Sequence, residues 1–239
     1  MLKIIDVLNL SYDDFRALFN ERKYSNLIQR KMKIIISMAL AGNIDTKKIY
    51  IIERVGDDDV EDDIVEFVNT LNMKWCEMNR GGVFTQFAKS EAKDELKKIN
   101  PGETVMLREF VLTDYCGDAT RNAMGNTYIE VRKGGFYSFW EAKGIPTYYI
   151  LDKDKNVITS CEHATERFVT FDYKKRSWDK FLTGDIEKVT LSGSELDKIT
   201  NILSSVSKTY RNAKIAWIKS GEEIIVFDIW IMFNQGILE

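Results

Sequence analysis

The chain has 239 residues, of which 44% are hydrophobic and 30% are charged, with only 2 Pro and 14 Gly. This composition is typical of a globular protein with a sizeable core, and it excludes collagen-like and low-complexity structures. The formal net charge is -3, from 34 Lys plus Arg against 37 Asp plus Glu. Because no basic excess favours contact with a phosphate backbone, nucleic acid is not an expected partner.

The cysteines and the single histidine restrict the chemistry further. Cys76, Cys116 and Cys161 lie far apart and form no CxxC pair, a usage typical of reduced thiols in a reducing compartment. The sequence contains no signal-peptide pattern and no uncharged membrane span, so we expect a cytoplasmic protein without membrane partners. His163 is the only histidine, which excludes most Ser-His-Asp, Cys-His and multi-histidine metal sites. Any catalysis would then depend on carboxylates, Lys or Arg.

The first hundred residues predict helices that alternate with strands. Ser11 and Asp14 form a capping-box pattern before a helix, whose apolar residues are Phe15, Leu18, Phe19, Leu27 and Ile28. Residues 34–36 either continue this helix or begin a strand. Residues 49–55 predict a buried strand that ends at Gly56, and the acidic residues 57–59 begin a second helix. The predicted core face of that helix is Val60, Ile64, Val65, Val68 and Leu71.

The next segment predicts a strand at 73–78, a turn at Arg80-Gly81-Gly82, a charged helix from Ser90, and a strong strand at 104–112. Beyond it the pattern is mostly β, with strands at 126–132, 147–152, 157–161 and 167–172 and a hairpin turn at 152–156. Ser192 and Glu195 form a capping box before a late helix. Its apolar face is Leu196, Ile199, Ile202, Leu203 and Val206. Residues 214–219 and 223–233 then predict a hairpin around Gly221.

Six segments follow one another in an order that is shared with a known family. They are LREFV at 107–111, CGDATRNAMGN at 116–126, YIEVRKGGF at 128–136, GIPTYYILDKDKNVI at 144–158, LSGSELDKITNILSSVSKTY at 191–210 and IAWIKSGEEIIVFDIW at 215–230. In this order they resemble a hinge strand, a small-residue turn, a strand leading to a glycine turn, a further strand segment, a helix and a terminal hairpin. That series resembles the nucleotide-binding, ATP-grasp domain of the phosphoenolpyruvate synthase and pyruvate phosphate dikinase family.

The resemblance implies an α+β, ATP-grasp-like fold, with two α/β lobes and a mostly antiparallel central sheet. We expect an amino-terminal α/β lobe over residues 1–103 and an ATP-grasp-like lobe over residues 104–239. The implied cofactors are ATP and Mg²⁺. The implied partners are an adenine nucleotide and a separate phosphoacceptor, either a domain or a small molecule.

The same resemblance assigns roles to individual residues. The adenine would meet main-chain groups of Glu109 and Phe110, beside an apolar wall of Val105 and Phe110. The full set of expected cofactor-binding residues is Lys74, Arg108, Glu109, Phe110 and Val111. Lys74 and Arg80 are the candidate catalytic residues, because each could place a positive charge against a phosphate.

The terminal hairpin departs from the family pattern at the expected metal site. The family carries two metal-binding side chains and a phosphate-binding Arg where this chain has Ala216, Asp228 and Trp230. Ala216 and Asp228 are expected on adjacent strands of one hairpin, and of the three residues only Asp228 can ligate a metal. The family's phosphohistidine domain and barrel have no counterpart in this chain, so a complete phosphoenolpyruvate synthase is not expected.

Three functions remain open at this point. The leading hypothesis is an ATP- and Mg²⁺-dependent phosphotransferase that acts on a separate acceptor. The first alternative is a pseudoenzyme that binds a nucleotide or a protein without catalysis, which Ala216 and Trp230 favour. The second alternative is an ATP-dependent carboxylate-amine ligase with Asp228 and Asn234 at the metal end of its site.

Three short motifs have structural explanations that we prefer to functional ones. Arg80-Gly81-Gly82 is expected to be a hairpin turn rather than a phosphate cradle. The 152–156 turn resembles the start of a calcium loop, but Val157 occupies the position where that loop requires Gly. Cys161 and His163 share a strand face without an orienting carboxylate, so a catalytic pair is not expected.

Overall fold

The computed structural model describes residues 1–21, 24, 34, 37, 44–135, 146–163, 167–182 and 188–231. The chain divides into two compact units: unit 1 contains Met1–Met32 and Lys47–Val111, and unit 2 contains Lys33–Thr46 and Leu112–Glu239. The lobe boundary expected from the sequence lies at 103/104. Residues 104–111 instead group with unit 1, because their strand is hydrogen-bonded between two strands of that unit.

Unit 1 contains an antiparallel five-stranded sheet together with helices. The sheet order is β1-β2-β5-β3-β4. Its strands are β1 (Leu2–Asp6), β2 (Ile49–Arg54), β3 (Trp75–Arg80), β4 (Val83–Ala88) and β5 (Thr104–Glu109). Its helices are α1 (Tyr12–Asn20), α2 (Glu61–Thr70) and α3 (Ala92–Lys97). Strands β1 and β4 were not predicted from the sequence.

The helices of unit 1 begin where local chemistry favours them. Ser11 caps α1 as predicted, because its Oγ accepts a hydrogen bond from the Asp14 N–H at 3.1 Å. Helix α2 buries Ile64 and Phe67, whereas Val65 is 38% exposed. The predicted core face was therefore wrong at two positions: it included Val65 and omitted Phe67. Phe67 is three positions after Ile64 and shares its face of the helix, whereas Val65 is the next residue and does not.

The described part of the first predicted helix ends earlier than the sequence pattern indicated. Helix α1 ends at Asn20, and Leu27 and Ile28 lie outside the described residues. Ile34 and Ser37 are both helical. Of the two alternatives left open for residues 34–36, the structure at Ile34 therefore matches the helix.

Unit 2 contains an antiparallel six-stranded sheet of order β13-β12-β6-β7-β8-β9 and a separate hairpin, β10-β11. The sheet strands are β6 (Tyr115–Arg121), β7 (Thr127–Lys133), β8 (Thr147–Leu151), β9 (Val157–Cys161), β12 (Ala213–Ser220) and β13 (Glu223–Ile231). The hairpin consists of β10 (Arg167–Asp172) and β11 (Ser177–Leu182). Helix α4 (Gly193–Thr209) lies between β11 and β12 in the chain.

Helix α4 covers one face of the unit 2 sheet, as its sequence predicted. Ser192 and Glu195 form the reciprocal capping box. All five predicted apolar residues of the helix are buried, and they pack in one cluster with alternate residues of the sheet. The cluster includes Ala119, Ile129, Ile215, Trp217 and Val226. Because side chains alternate along a strand, the intervening residues point to the opposite face of the sheet.

Strand β6 corrects the prediction of a small-residue turn at 116–126. Residues 115–121 form a central strand, and only the residues between β6 and β7 form the turn. The small residues of β6 have a packing role: a Cβ on Gly117 would lie 2.2 Å from Cζ2 of Trp217. Gly117 therefore accommodates the indole ring of Trp217 on the neighbouring strand, which is a long-range contact that the local sequence does not display.

The predicted α+β class and the antiparallel sheets are confirmed by the strand pairing. No helix within the described ranges is long and apolar enough to span a membrane.

Candidate functional site

In unit 1, the predicted adenine-binding segment lies at the end of β5. The N–H of Glu109 donates to the carbonyl of Lys48 at 3.1 Å, and the N–H of Phe110 donates to the carbonyl of Trp75 at 2.9 Å. Both donors are therefore used inside unit 1. Val105 is fully buried in the core below the helices, so the predicted apolar wall of Val105 and Phe110 was wrong for Val105. An adenine role for Glu109, Phe110 and the half-buried Val111 stays a prediction, and it would use groups other than these two N–H donors.

Arg108 is part of a polar row that crosses the unit 1 sheet. Arg108 lies opposite Glu77 on β3, and Glu77 lies opposite Gln86 on β4. Directly opposed residues share a face, so we call Arg108, Glu77 and Gln86 the unit 1 row. Glu77 is only 5% exposed. One oxygen pairs with Arg108, and the other accepts a hydrogen bond from Gln86 Nε2 at 2.7 Å. Both oxygens of this carboxylate are thus engaged.

Lys47 is a second buried cation near this row. Its Nζ lies 6.0 Å from the centre of the Phe110 ring. Burial, reinforced by the positive charge of Arg108, lowers the pKa of Lys47 to about 7, while Glu77 and Glu109 act in the opposite direction. Lys47 and Glu77 were not predicted from the sequence, because no local pattern marks a lysine just before a strand, or a single glutamate within one, as buried.

The two candidate catalytic residues of unit 1 are not brought together. Lys74 is exposed in the bend before β3, and Arg80 is the last residue of β3. A strand of this length separates its ends by about 20 Å. Arg80 Nε lies 2.9 Å from Glu103 Oε1. Gly81 and Gly82 both have positive φ and form the two-residue turn between β3 and β4, which confirms the hairpin interpretation.

In unit 2, the predicted metal residue Asp228 belongs to a second polar row. Ala216 on β12 lies directly opposite Asp228 on β13, as predicted, and directly opposite Asp118 on β6. We call Asp118, Ala216 and Asp228 the unit 2 row. All three lie on the sheet face away from α4. The methyl group of Ala216 thus separates two carboxylate-bearing residues whose strands are about 10 Å apart.

A lysine lies on the same face, two residues before Ala216. Lys214 Nζ is 2.6 Å from Asp118 Oδ2 and 5.7 Å from the centre of the Trp230 ring. Burial raises the pKa of Asp118 above its ordinary value, and the attraction of Lys214 only partly offsets that effect. Nearby Glu130 raises the pKa of Asp118 further, and Arg132 lowers it.

This face therefore combines carboxylates with cations in one unit. Glu130 lies directly opposite Asp118 on β7, and Arg132 shares its face two residues later. Asp228 is half-buried, and its Oδ1 accepts a hydrogen bond from the N–H of Ile229 at 2.8 Å. Asn234, the second residue of the ligase hypothesis, lies outside the described residues.

Magnesium fits the donor set of the unit 2 row. Within the described ranges, no three His, Cys, Asp or Glu side chains are grouped closely enough to hold a metal ion. Mg²⁺ is usually held by only one or two carboxylates and completes its coordination with phosphates and water. Asp228 and Asp118 are two hard oxygen donors of this kind, so a nucleotide-linked Mg²⁺ matches the row better than an ion held by protein ligands alone.

Asp228 was predicted as a site residue from the sequence, whereas Asp118 and Lys214 were not. Asp118 was hidden because its segment was interpreted as a turn, although it lies in the central strand β6. Lys214 was predicted to lie in a strand, but its partner is 96 residues earlier in the chain, at Asp118. The local signal was weak, because residues 215–218 of β12 are four consecutive apolar residues and do not show the alternation that marks a sheet with one polar face.

Comparisons with known proteins yield only distant structural likeness. No protein-family model and no curated protein matches this chain. It is similar to the structure of the ATP-grasp ligase PsnB complexed with a minimal precursor, with 10% identity, a TM-score of 0.40, and coverage of 91% of this chain and 56% of that chain. It is also similar to the macrocyclase MdnC bound with precursor peptide MdnA from Microcystis aeruginosa MRC, with 8% identity, a TM-score of 0.39, and coverage of 87% and 54%. The chain spans a little over half the length of both structures. Likeness at these values supports no inference about activity.

Proposed function

We propose that this protein is ATP-grasp-like, binds Mg²⁺-ATP at the polar face of unit 2, and activates a carboxylate for ligation to an amine. The observation that carries the proposal is the unit 2 row with Lys214 beside it. The row presents Asp118 and Asp228 on either side of a small residue, on the sheet face that α4 does not cover. The six ordered sequence segments that resemble an ATP-grasp domain provide independent support.

The residues of this face have separable tasks. Asp228 and Asp118 would hold the Mg²⁺ ion, which supplies charge neutralisation for the phosphates when it is bound. Lys214 can provide a point charge to a phosphate oxygen, because its ammonium is a compact cation on a flexible stem. Its 2.6 Å contact with Asp118 Oδ2 keeps that ammonium on the face. Arg132 adds a second positive charge to the same side of the sheet.

The ligase hypothesis is preferred to phosphotransfer of the phosphoenolpyruvate synthase type. That chemistry would use side chains that Ala216 and Trp230 cannot replace, since neither a methyl group nor an indole ring ligates a metal or forms a salt bridge with phosphate. The ligase hypothesis requires an acidic metal end, and Asp228 with Asp118 provides one. An adenine-binding role for residues 108–111 and catalytic roles for Lys74 and Arg80 remain proposals that rest on the family resemblance.

Nucleotide binding without turnover is the second candidate, and Ala216 favours it. Ala216 lies between the two carboxylate-bearing strands, at the position where the ATP-grasp family that the sequence resembles carries an acidic side chain. A site with fewer metal ligands can retain nucleotide affinity while losing the charge stabilisation that turnover requires.

The two candidates are separated by a binding experiment followed by a product assay. Melting curves with ATP, ADP and AMP, each with and without Mg²⁺, should show stabilisation by ATP and ADP that depends on Mg²⁺. Absence of a shift for all three nucleotides would contradict both candidates. If binding occurs, release of phosphate and ADP that depends on an added carboxylate from a panel of acidic peptides and amino acids supports the ligase. Binding without product under every condition supports the pseudoenzyme.

A further inference from the structure

Cys161 differs from the other two cysteines in its surroundings. All three thiols are free, but Cys76 and Cys116 are buried, whereas Cys161 is only partly buried. Burial raises the pKa of Cys76 to about 12 and raises the pKa of Cys116 as well. Thiols in such surroundings stay protonated and are inert toward electrophiles.

The thiol of Cys161 also contacts the only histidine of the chain. Cys161 Sγ lies 3.1 Å from His163 Nε2. The two side chains are therefore in direct contact, which sharing a strand face alone does not require. His163 lies just past the end of β9, and its Nε2 is directed toward the sulfur. An imidazole nitrogen at this distance can accept the thiol proton and leave a thiolate, the nucleophilic form of cysteine.

The backbone of His163 is fixed by a residue of the neighbouring strand. The His163 N–H donates to Thr147 Oγ1 at 2.9 Å, and the Thr147 hydroxyl donates to the His163 carbonyl at 3.1 Å. These two hydrogen bonds hold His163 against β8. The fold of unit 2 therefore fixes the backbone position from which the imidazole reaches the sulfur.

The pair lies at an accessible edge of the sheet. Strand β9 is the last strand in the sheet order, and its residues before Cys161 are all exposed. The ionisable neighbours in the described structure are Tyr148, directly opposite Cys161 on β8, and the exposed Glu162. Glu130 lies one strand further away, opposite Tyr148. Cys161 itself is only partly buried, so this edge is in contact with solvent, unlike the surroundings of the two core cysteines.

We propose that Cys161 is a modification site for small electrophiles, in particular hydroperoxides, with His163 as the group that accepts its proton. His163 takes the thiol proton, and the sulfur electron pair attacks the nearer peroxide oxygen. The O–O bond breaks, sulfur is oxidised to a sulfenic acid, and the peroxide is reduced. The departing hydroxide or alkoxide takes the proton from the imidazolium and leaves as water or an alcohol.

The first test uses the unmodified protein and compares its three cysteines. After brief treatment with hydrogen peroxide and a sulfenic-acid trap, or with iodoacetamide alone, peptide mapping measures the modified fraction at each cysteine. Cys161 should react at least about tenfold faster than Cys76 and Cys116 with both reagents. Equal rates at the three cysteines, or faster reaction at a buried one, would overturn the proposal.

The second test separates proton transfer from simple access. The substitution His163→Gln should slow alkylation of Cys161 at pH 7 by about tenfold, with little change near pH 10, where hydroxide deprotonates the thiol directly. Free imidazole should restore part of the rate at pH 7. Glu162→Gln is the matched control and should leave the rate nearly unchanged. An unchanged rate in a folded His163→Gln protein would overturn the role of His163, and loss of rate at both pH values would show that the ring acts only through packing.

Discussion

The two polar rows differ in the residue at their centre. In the unit 1 row, both oxygens of Glu77 are used by Arg108 and Gln86, and the group is almost fully buried. In the unit 2 row, the central position is Ala216, and the carboxylates lie on either side of it. The first row has a buried and fully engaged carboxylate at its centre, whereas the second has a methyl group there, with a carboxylate-bearing residue on each neighbouring strand.

This difference separates two uses of buried charge. A buried carboxylate whose two oxygens are bound by neighbouring side chains stabilises the arrangement of strands. If one partner is removed, the other is left as an unpaired charge in a low-dielectric interior. A row with a small residue between two carboxylates places like charges close together, and a bound cation would neutralise them. We therefore infer a structural role for the unit 1 row, and ligand binding at the unit 2 row remains our proposal.

The largest expected effect concerns Glu77. The substitution Glu77→Gln removes the carboxylate that pairs with Arg108 in a buried site, so we expect the free energy of unfolding to fall by about 3–5 kcal/mol. Urea denaturation measures the change. The matched control is Glu61→Gln, because Glu61 also pairs with two cations, Lys93 and Lys97, but at the surface. Similar losses for the two variants would contradict a structural role for burial in the unit 1 row.

The next effect concerns the small residue of the unit 2 row. Ala216 is fully buried, so Ala216→Glu should lower the free energy of unfolding by about 2–4 kcal/mol in the absence of metal, through overpacking and the neighbouring carboxylates. Melting curves with ATP alone and with ATP plus Mg²⁺ make the comparison. Mg²⁺ should recover part of the loss only when ATP is present, because a third carboxylate adds a metal ligand. A variant that is destabilised and insensitive to Mg²⁺ would show that the row is not a metal site.

These two positions also show what local sequence can and cannot predict. The capping box of Ser192 and Glu195 and the apolar face of α4 were predictable because their determinants lie within a few residues. The opposition of Ala216 and Asp228 followed from one hairpin. The pairing of Glu77 with Arg108 and the packing of Trp217 against Gly117 join residues 31 and 100 positions apart, and no local period encodes such contacts. Asp118 was not predicted as a strand residue for the same reason. The small residues around it are required by the distant Trp217, but in the local sequence they are typical of a turn.

A smaller, pH-dependent effect is expected at Lys47. The pKa of Lys47 falls to about 7 in the folded protein, so below pH 7 the folded chain must bury a charged lysine. Between about pH 7 and the ordinary lysine pKa, the unfolded chain binds more protons than the folded chain, so the stability of the unmodified protein rises with pH. The substitution Lys47→Met should therefore raise the free energy of unfolding by about 1–3 kcal/mol at pH 6. That gain should shrink as the pH rises from 7 toward 10. The exposed neighbour provides the control, Lys48→Met, which should show no such pH dependence. A gain that is constant with pH would contradict the lowered pKa.

The most direct test of the binding role of the unit 2 row is calorimetric titration with ATP, with and without Mg²⁺. Three proteins are compared: the unmodified chain, Asp228→Asn, and Asp154→Asn as a control in an exposed turn. We expect Mg²⁺ to tighten ATP binding by about tenfold, or about 1.4 kcal/mol, in the unmodified chain and in Asp154→Asn. Asp228→Asn should bind ATP equally with and without Mg²⁺. An equal Mg²⁺ effect in all three proteins, or no binding heat in the unmodified chain, would contradict the assignment of this row to Mg²⁺-ATP.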